Sequence, residues 1–285
     1  MSKYNYNKDY FQKIDTPDKA YWLGFLFADG CIVRFYKNEI LKSMSLEVTL
    51  SSRDREHLVK LNNVLQSNVP IRDKLVKLDN KEYSSCRLTI NCTKLCYDLI
   101  DKGCIPQKSC IVRLPEDNVV SRELKRDFLR GYFDGNGCIH IGIMNNKPHI
   151  EISISTGTEA MLKDIASFLF SEKAVTVIPK INNDNRSKGC DMFYYGDAVK
   201  DLLDYMYMNS NNYLLRKYQQ YKDYYKDYVL SRHGVYWHSE NKAYVVTIRM
   251  NDKRIRVGQS KDLLEAIQMR KEAEIEKTKN CLLNQ

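Results

Sequence analysis

The apolar positions of this chain follow one long pattern written twice. WLGFLFADG, Trp22 to Gly30, is a large apolar run that carries one glycine and closes on a short polar turn with another. FLRGYFDGNG, Phe128 to Gly137, repeats it, with Gly131 standing for Gly24 at an offset of 107. After each run an alternating strand leads into a helix. SLEVTLSSRDREHLVKL (45–61) aligns with HIEISISTGTEAMLKDI (149–165), where Leu46, Glu47, Val48, Leu58 and Leu61 meet Ile150, Glu151, Ile152, Leu162 and Ile165 at an offset of 104. CRLTINCTKLCYDLI and DMFYYGDAVKDLLDY then each read as a strand followed by a helix. Each half closes on a lysine stretch, IPQKSC around Lys108 and LLRKYQQY around Lys217, at an offset of 109. Four matches in one order at a nearly constant offset are the signature of a duplication. Each half therefore reads helix, two strands, helix, two strands, helix.

The strand pattern separates a packed face from an open one. In CRLTIN, Leu88 and Ile90 alternate with Arg87, Thr89 and Asn91, the period of two expected of a half-buried antiparallel sheet. The open faces of the repeat are expected to carry Arg34, Arg72, Lys74, Arg87 and Asn91 in the first half, and Lys180, Arg186 and Lys188 in the second. A curved sheet with such a face can lie in a major groove, where Arg and Asn read base edges and Lys holds phosphates. For a single strand, a solvated face explains the same residues; repetition across both halves favours a shared role.

Residues 232–277 fall outside the repeat. GVYWHSENKAYVVTIRMNDKRIRVGQ reads as three strands, with Asn251-Asp252 in a turn. SKDLLEAIQMRKEAEIEK then reads as an amphipathic helix capped by Ser260, with Leu264, Ile267 and Ala273 inward. The chain is thus expected to divide at 1–112, 113–225 and 226–285: two halves of a repeat, then a linker with a small sheet-and-helix module.

Small residues on a helix let a second helix backbone approach closely. Gly24 and Ala28 lie four apart on one face, and Gly131 and Gly135 repeat the arrangement. Two such helices can pack across a pseudo-twofold axis and bring their ends, Asp29 and Asn136, side by side. Two carboxylates placed there would hold divalent metal ions between the scissile phosphates of two DNA strands. Here one of the two positions carries an amide.

Composition adds a partner and removes alternatives. The net charge is +9, with 20 tyrosines interleaved among basic residues, which favours a polyanionic partner. No stretch approaches a membrane span, and MSKYNYNKDYFQK has no apolar signal core, so an intracellular protein is expected. The nine cysteines lack paired metal-ligand spacing and are read as reduced packing thiols, with Cys86, Cys92, Cys96, Cys104 and Cys110 clustered.

Over roughly residues 17–225 the two motifs and their context resemble the single-chain LAGLIDADG homing endonucleases. WLGFLFADG matches the nine-residue motif at its glycines and its closing Ala-Asp-Gly, and LRGYFDGNG matches at Gly131, Asp134 and Gly137. The resemblance implies an α+β fold in which two antiparallel sheets form a DNA-binding saddle with helices behind. It implies a monomer that binds a long asymmetric duplex and cuts both strands with magnesium (Mg²⁺) or another divalent cation. The metal ligands carried over are Asp29 and, nominally, Asn136; the pocket lysines are Lys108 and Lys217. GVYWH, AYVVTIR, KRIRVG and LLEAIQMRKEAE resemble the APETALA/ethylene-response-factor DNA-binding domain, which is also found attached to phage and bacterial homing endonucleases. That resemblance implies a sheet in the major groove, with Tyr236, His238, Arg249, Arg254 and Arg256 at the contacting positions; Trp237 is expected to pack rather than to contact DNA. A nucleoid-associated protein of bacterial or phage origin is expected.

The departure at Asn136 leaves three readings. An amide can lend a carbonyl oxygen to a metal but lacks the charge that binds Mg²⁺ and lowers the pKa of its water. Asp134, on a different helical face, is not expected to substitute. Asn136 is therefore an engineered inactivation, a natural divergence to single-strand nicking, or the mark of a non-cleaving DNA-binding regulator or RNA-splicing maturase on the same fold.

Overall fold

The structure, a computed structural model, describes residues 4–78, 81–108, 111–144, 147–184, 189–224, 234–250 and 253–262, together with 265, 266, 268–270, 272, 273, 276 and 277. They form two compact units, Met1–Tyr218 and Gln219–Gln285. The first unit holds both halves of the repeat.

In the first half, α1 (Pro17–Asp29) leads directly into β1 (Gly30–Lys37), followed by β2 (Ile40–Ser51), α2 (Arg55–Val64), β3 (Arg72–Leu78), β4 (Lys81–Ile90) and α3 (Thr93–Asp101). The second half repeats the order with α4 (Lys125–Asn136), β5 (Gly137–Met144), β6 (Lys147–Thr156), α5 (Glu159–Ser171), β7 (Ile181–Asp184), β8 (Gly189–Tyr195) and α6 (Asp197–Tyr207); α7 (Leu215–Tyr224) follows. The two sheets have the same antiparallel order, β1-β2-β4-β3 and β5-β6-β8-β7. This is the α+β duplication expected from the sequence, element for element.

Local chemistry sets the motif helices. The Thr16 side chain caps α1 by accepting from the Lys19 amide at 3.3 Å, and Pro17 occupies the first turn, where its missing N–H costs nothing. Every residue of α1 from Ala20 to Phe27 is buried, as expected of a helix at the centre of a molecule rather than on its surface. Its neighbour across the pseudo-twofold is α4. A Cβ added to Gly24 would lie 1.9 Å from the Phe128 carbonyl oxygen, and one added to Gly131 would lie 1.9 Å from that of Tyr21. Backbone meets backbone at both points, so the two glycines make the crossing possible. Farther along, a Cβ on Gly135 would come within 2.2 Å of the Ala28 methyl group. On the inner face of each sheet, Ile32, Leu46, Val48, Leu88 and Ile90, then Ile139, Ile152, Ile154, Met192 and Tyr194, close the core.

Two details depart from the sequence alignment. Val48 stands opposite Gly30, whereas Ile154 stands opposite Gly137, so across β2 and β6 the equivalence is offset by 106 rather than 104. The first half spends its extra residues on a 3-10 turn, Ser52–Asp54, before α2. A slip of two residues keeps every side chain on its own face, so the alternation cannot reveal it. The second departure concerns Arg34, which pairs with Met44 on the same side as Ile32 and Leu46. It projects from the helix-side face of a strand that outruns the core, and does not share the open face with Arg87.

The second unit contains β9 (Val235–His238), β10 (Ala243–Met250) and β11 (Lys253–Ser260) in the antiparallel order β11-β10-β9. Val235, Tyr244, Val246 and Ala266 make its core, with Val257 and Met269 against them. The helical segment is capped by Asp262 rather than Ser260. The Asp262 carboxylate accepts from the Glu265 amide at 2.9 Å, while the Ser260 hydroxyl accepts from the Asp262 amide at 3.0 Å. Ala273 is half-buried; Leu264 and Ile267 lie outside the described residues. No described helix is long and apolar enough to cross a membrane. Cys86, Cys92, Cys96 and Cys104 are buried free thiols, Cys31 and Cys138 are exposed ones, and Cys110 lies outside the described residues.

Candidate functional site

The crossing of α1 and α4 carries their C-termini to one place. Asp29 ends α1, and its Oδ2 would lie 3.1 Å from a Cβ on Gly135, next to Asn136 at the end of α4. Both residues are half-buried. Burial raises the Asp29 carboxyl pKa; Lys217 and Lys108 act against that, Asp54 adds to it, and Arg216 opposes it. Asp29 is thus a carboxyl that burial draws toward its neutral form and the nearby lysines draw toward its charged form.

The two lysines reach this place in matching ways. The Lys108 ammonium donates to the Gly30 carbonyl at the end of α1. That of Lys217 donates to the Phe133 carbonyl at 2.6 Å and the Asp134 carbonyl at 2.8 Å, and also to Gly137. Each cation therefore sits at carbonyls around a helix C-terminus, where the helix dipole favours positive charge; the Phe133 carbonyl there also accepts from the Gly137 amide. Lys217 is 2% exposed, and burial lowers its pKa to about 8. Both ammonium groups are engaged on backbone carbonyls near the ends of α1 and α4.

Asp134 forms the hub of a buried network that sequence reasoning did not find. Its carboxylate accepts from the Tyr21 hydroxyl at 2.6 Å, the Tyr207 hydroxyl at 2.5 Å and the Leu214 amide at 2.7 Å. Burial raises its pKa, while Lys217 and these donors pull the other way. Because the Tyr21 proton is given to Asp134, its oxygen accepts from His57 Nε2 at 3.1 Å, which fixes the imidazole tautomer. Leu214 precedes α7, so Asp134 of α4 holds the start of α7, while Lys217 in the first turn of α7 holds the end of α4. Asp134 is committed to this clamp and is not a substitute ligand. The available signal was a carboxylate at the position where the first motif carries Phe27.

Asp29 and Asn136 suit a divalent cation of the Mg²⁺ type by donor chemistry: a carboxylate and an amide oxygen, both hard, at two helix ends of negative potential. No cluster of three or more His, Cys, Asp or Glu side chains able to hold a metal occurs among the described residues. The fit is therefore that of a lean oxygen site with one carboxylate where symmetry would supply two.

Outward from this floor run the open sheet faces. On the first, Arg72 stands directly across from Arg87, and Lys74 across from Ser85. Arg87 donates to Thr49 at 3.0 Å and to Glu47 at 3.3 Å. Asn91 follows on the same side and is exposed. On the second face, His140 pairs with Glu151 and Ser153 with Phe193; the Phe193 and Tyr195 rings stack at 6.2 Å. Lys180 is exposed just before β7, while Arg186 and Lys188 lie outside the described residues. The first face is thus the more basic among the described residues. In the second unit, Tyr236, His238, Arg249, Arg254 and Arg256 share one face of the sheet, with Arg249 directly across from Arg254 and Arg256 across from Thr247. Trp237 is on the other side, 4.8 Å from the Tyr244 ring. Like charges in cross-strand register destabilise a sheet, and two sheets here bear such a pair.

Two like halves joined at glycine-bearing helices, each with a four-stranded sheet, define a single-chain pseudo-twofold LAGLIDADG fold. Comparison with known proteins gives the same class: residues 123–232 match the model of a LAGLIDADG-like domain. The meganuclease I-AabMI bound to uncleaved DNA is similar in structure, with a TM-score of 0.50 at 12% identity over 77% of this chain and 93% of that one. A double lysine-to-alanine mutant of I-SmaMI gives 0.50 at 11% identity, over 80% of this chain and 93% of that one. At such identities the likeness is one of fold. No curated protein matches the chain.

Proposed function

We propose that this protein is a sequence-specific DNA-binding nuclease of the homing type, acting as a monomer on a long duplex and impaired at one of its two strand-cleaving positions. The observation that carries this reading is the junction of α1 and α4, which sets Asp29 beside Asn136's helix end, with a lysine capping each helix and an open sheet face on either side. A divalent cation held by Asp29 and Asn136 would neutralise charge at the scissile phosphate and make its water more acidic. The chain's own residues do the rest. Lys108 and Lys217 keep positive potential under the site and support the ionised form of Asp29 against its burial. Arg72, Lys74, Arg87 and Asn91 of the first sheet, with Lys180 of the second half, face the duplex and position it.

The second unit serves as an appended groove-binding module, similar in its sheet to the APETALA-type domain, presenting Tyr236, His238, Arg249, Arg254 and Arg256. The cross-strand arginine pairs Arg72–Arg87 and Arg249–Arg254 support an anionic partner, since phosphate would relieve their repulsion. A second reading, a protein that binds nucleic acid without cutting it, is favoured by the amide at position 136.

The test is Asn136→Asp, a nearly isosteric change whose added charge a bound cation would offset. On plasmids carrying sites the protein binds, the variant should convert nicked or uncut DNA into linear product with little change in affinity. No gain of linear product on a DNA it demonstrably binds supports the binding-only reading instead.

A further inference from the structure

Residues 4–9 form a strap pinned along the outer edge of the first half. The Asn5 amide donates to Asn68 Oδ1 at 2.8 Å and the Asn68 amide donates back to the Asn5 carbonyl at 3.3 Å. The Asn7 amide donates to the Leu65 carbonyl at 2.7 Å, the Tyr6 hydroxyl to the Asn91 carbonyl at 2.6 Å, and Lys94 to Asp9 at 2.8 Å. The segment is thereby built into the fold ahead of the first motif. With the open sheet face it encloses a groove of about 780 Å³, lined by Tyr4 and Tyr6 of the strap and by Arg72, Lys74, Arg87 and Asn91 of the sheet.

Charge and place identify the occupant. The groove's two acids are engaged, Glu47 by Arg87 at 3.3 Å and Asp73 by Arg55 at 3.5 Å. Arg72 and Lys74 form no ion pair among the described residues. The groove lies at β3, three strands out from β1, whose first residue Gly30 adjoins the site. At about 4.8 Å per strand that is roughly 14 Å from β1, on the side of the sheet away from the site. We propose that this groove takes a sugar–phosphate strand of duplex DNA at the outer end of the first half-site, with Tyr4 and Tyr6 as its contacting wall. The strap then belongs to the binding interface, and its two tyrosines position the outer end of the duplex. The proposal rests on the DNA-binding reading above.

The experiment uses the full-length protein, a duplex selected from a randomised DNA library, and hydroxyl-radical footprinting. Tyr4→Ala and Tyr6→Ala should each weaken binding about fivefold, the scale of one lost contact, and should lose protection only at the outer nucleotides of one half-site. Tyr6→Phe keeps the ring and should keep the protection. Should Tyr6→Ala fail to fold, Tyr4→Ala decides. Variants that bind and protect as the parent does overturn the proposal, as does a loss spread evenly over both half-sites. Selection of structured RNA in preference to duplex DNA overturns the occupant. A parent protein that protects no duplex at all overturns the functional reading, a result distinct from failure of the strap alone.

Discussion

At position 29 a carboxylate, and at position 136 an amide, end two helices built on one pattern, so the residue scale is where the two halves differ in chemistry. Asp29 is the acid at the penultimate position of either motif, and Asp134, consumed by three donors, is not placed to replace it. Asp29→Asn should abolish any nicking while leaving DNA affinity within a few-fold; a variant that nicks at the parent rate would remove Asp29 from the site. His57 offers a test of the buried network. Burial, then Lys60 and Lys217, lower its pKa from 6.5 to about 3. The unfolded chain takes up a proton near 6.5, whereas the folded protein does not until about 3, so the imidazole subtracts stability progressively as pH falls through that window. Denaturant titrations should show wild type losing about 2 kcal/mol more than His57→Leu between pH 6.5 and about 5, with no such difference above that range. The polarity of His57 and Asp134 was visible in the sequence; their meeting with Tyr21 and Tyr207 required four distant segments, α1, α2, α4 and α6, to fold together.

Among the elements, α1 and α4 decide the architecture. Their glycine and alanine spacing was legible because close helix packing demands small residues at one face. The structure adds the magnitude: a methyl group at Gly131 would stand 1.9 Å from the Tyr21 carbonyl oxygen and 2.8 Å from the Phe25 amide nitrogen. Neither backbone atom can rotate aside. Gly131→Ala should therefore cost about 3 kcal/mol or more, measured as a lowered denaturation midpoint, because the helices must separate to admit it. By contrast, the strand register escaped the sequence. A two-residue slip between β2 and β6 preserves alternation, and Arg34 looked equivalent to Arg87 until its cross-strand partner was known. Parity along one strand says which residues share a face but not which face is open.

For the whole molecule, the division between Met1–Tyr218 and Gln219–Gln285 separates the duplicated fold from the appended sheet. If the second unit is a tethered binding surface, it raises the effective concentration of a second contact without altering the first. A chain ended after about residue 228 should bind more weakly and show a shallower dependence of affinity on salt, since fewer phosphates would be contacted. Its footprint centre and any cut site should stay in place; a shifted position would mean that the module sets register.

The sequence by itself determined the duplication, the order of every strand and helix in both halves, the crossing of the motif helices and the pairing of Asp29 with position 136. These are properties of periodicity, small-residue spacing and repetition, which local composition records. Tertiary structure alone decided that Lys108 and Lys217 spend their ammonium groups on helix-end carbonyls, that Asp134 joins α1, α6 and α7, and that Tyr4 and Tyr6 wall the outer groove. Each of these depends on contacts between residues far apart in the chain. Burial, which turns a surface lysine or aspartate into a clamp, exists only once the chain has closed around it.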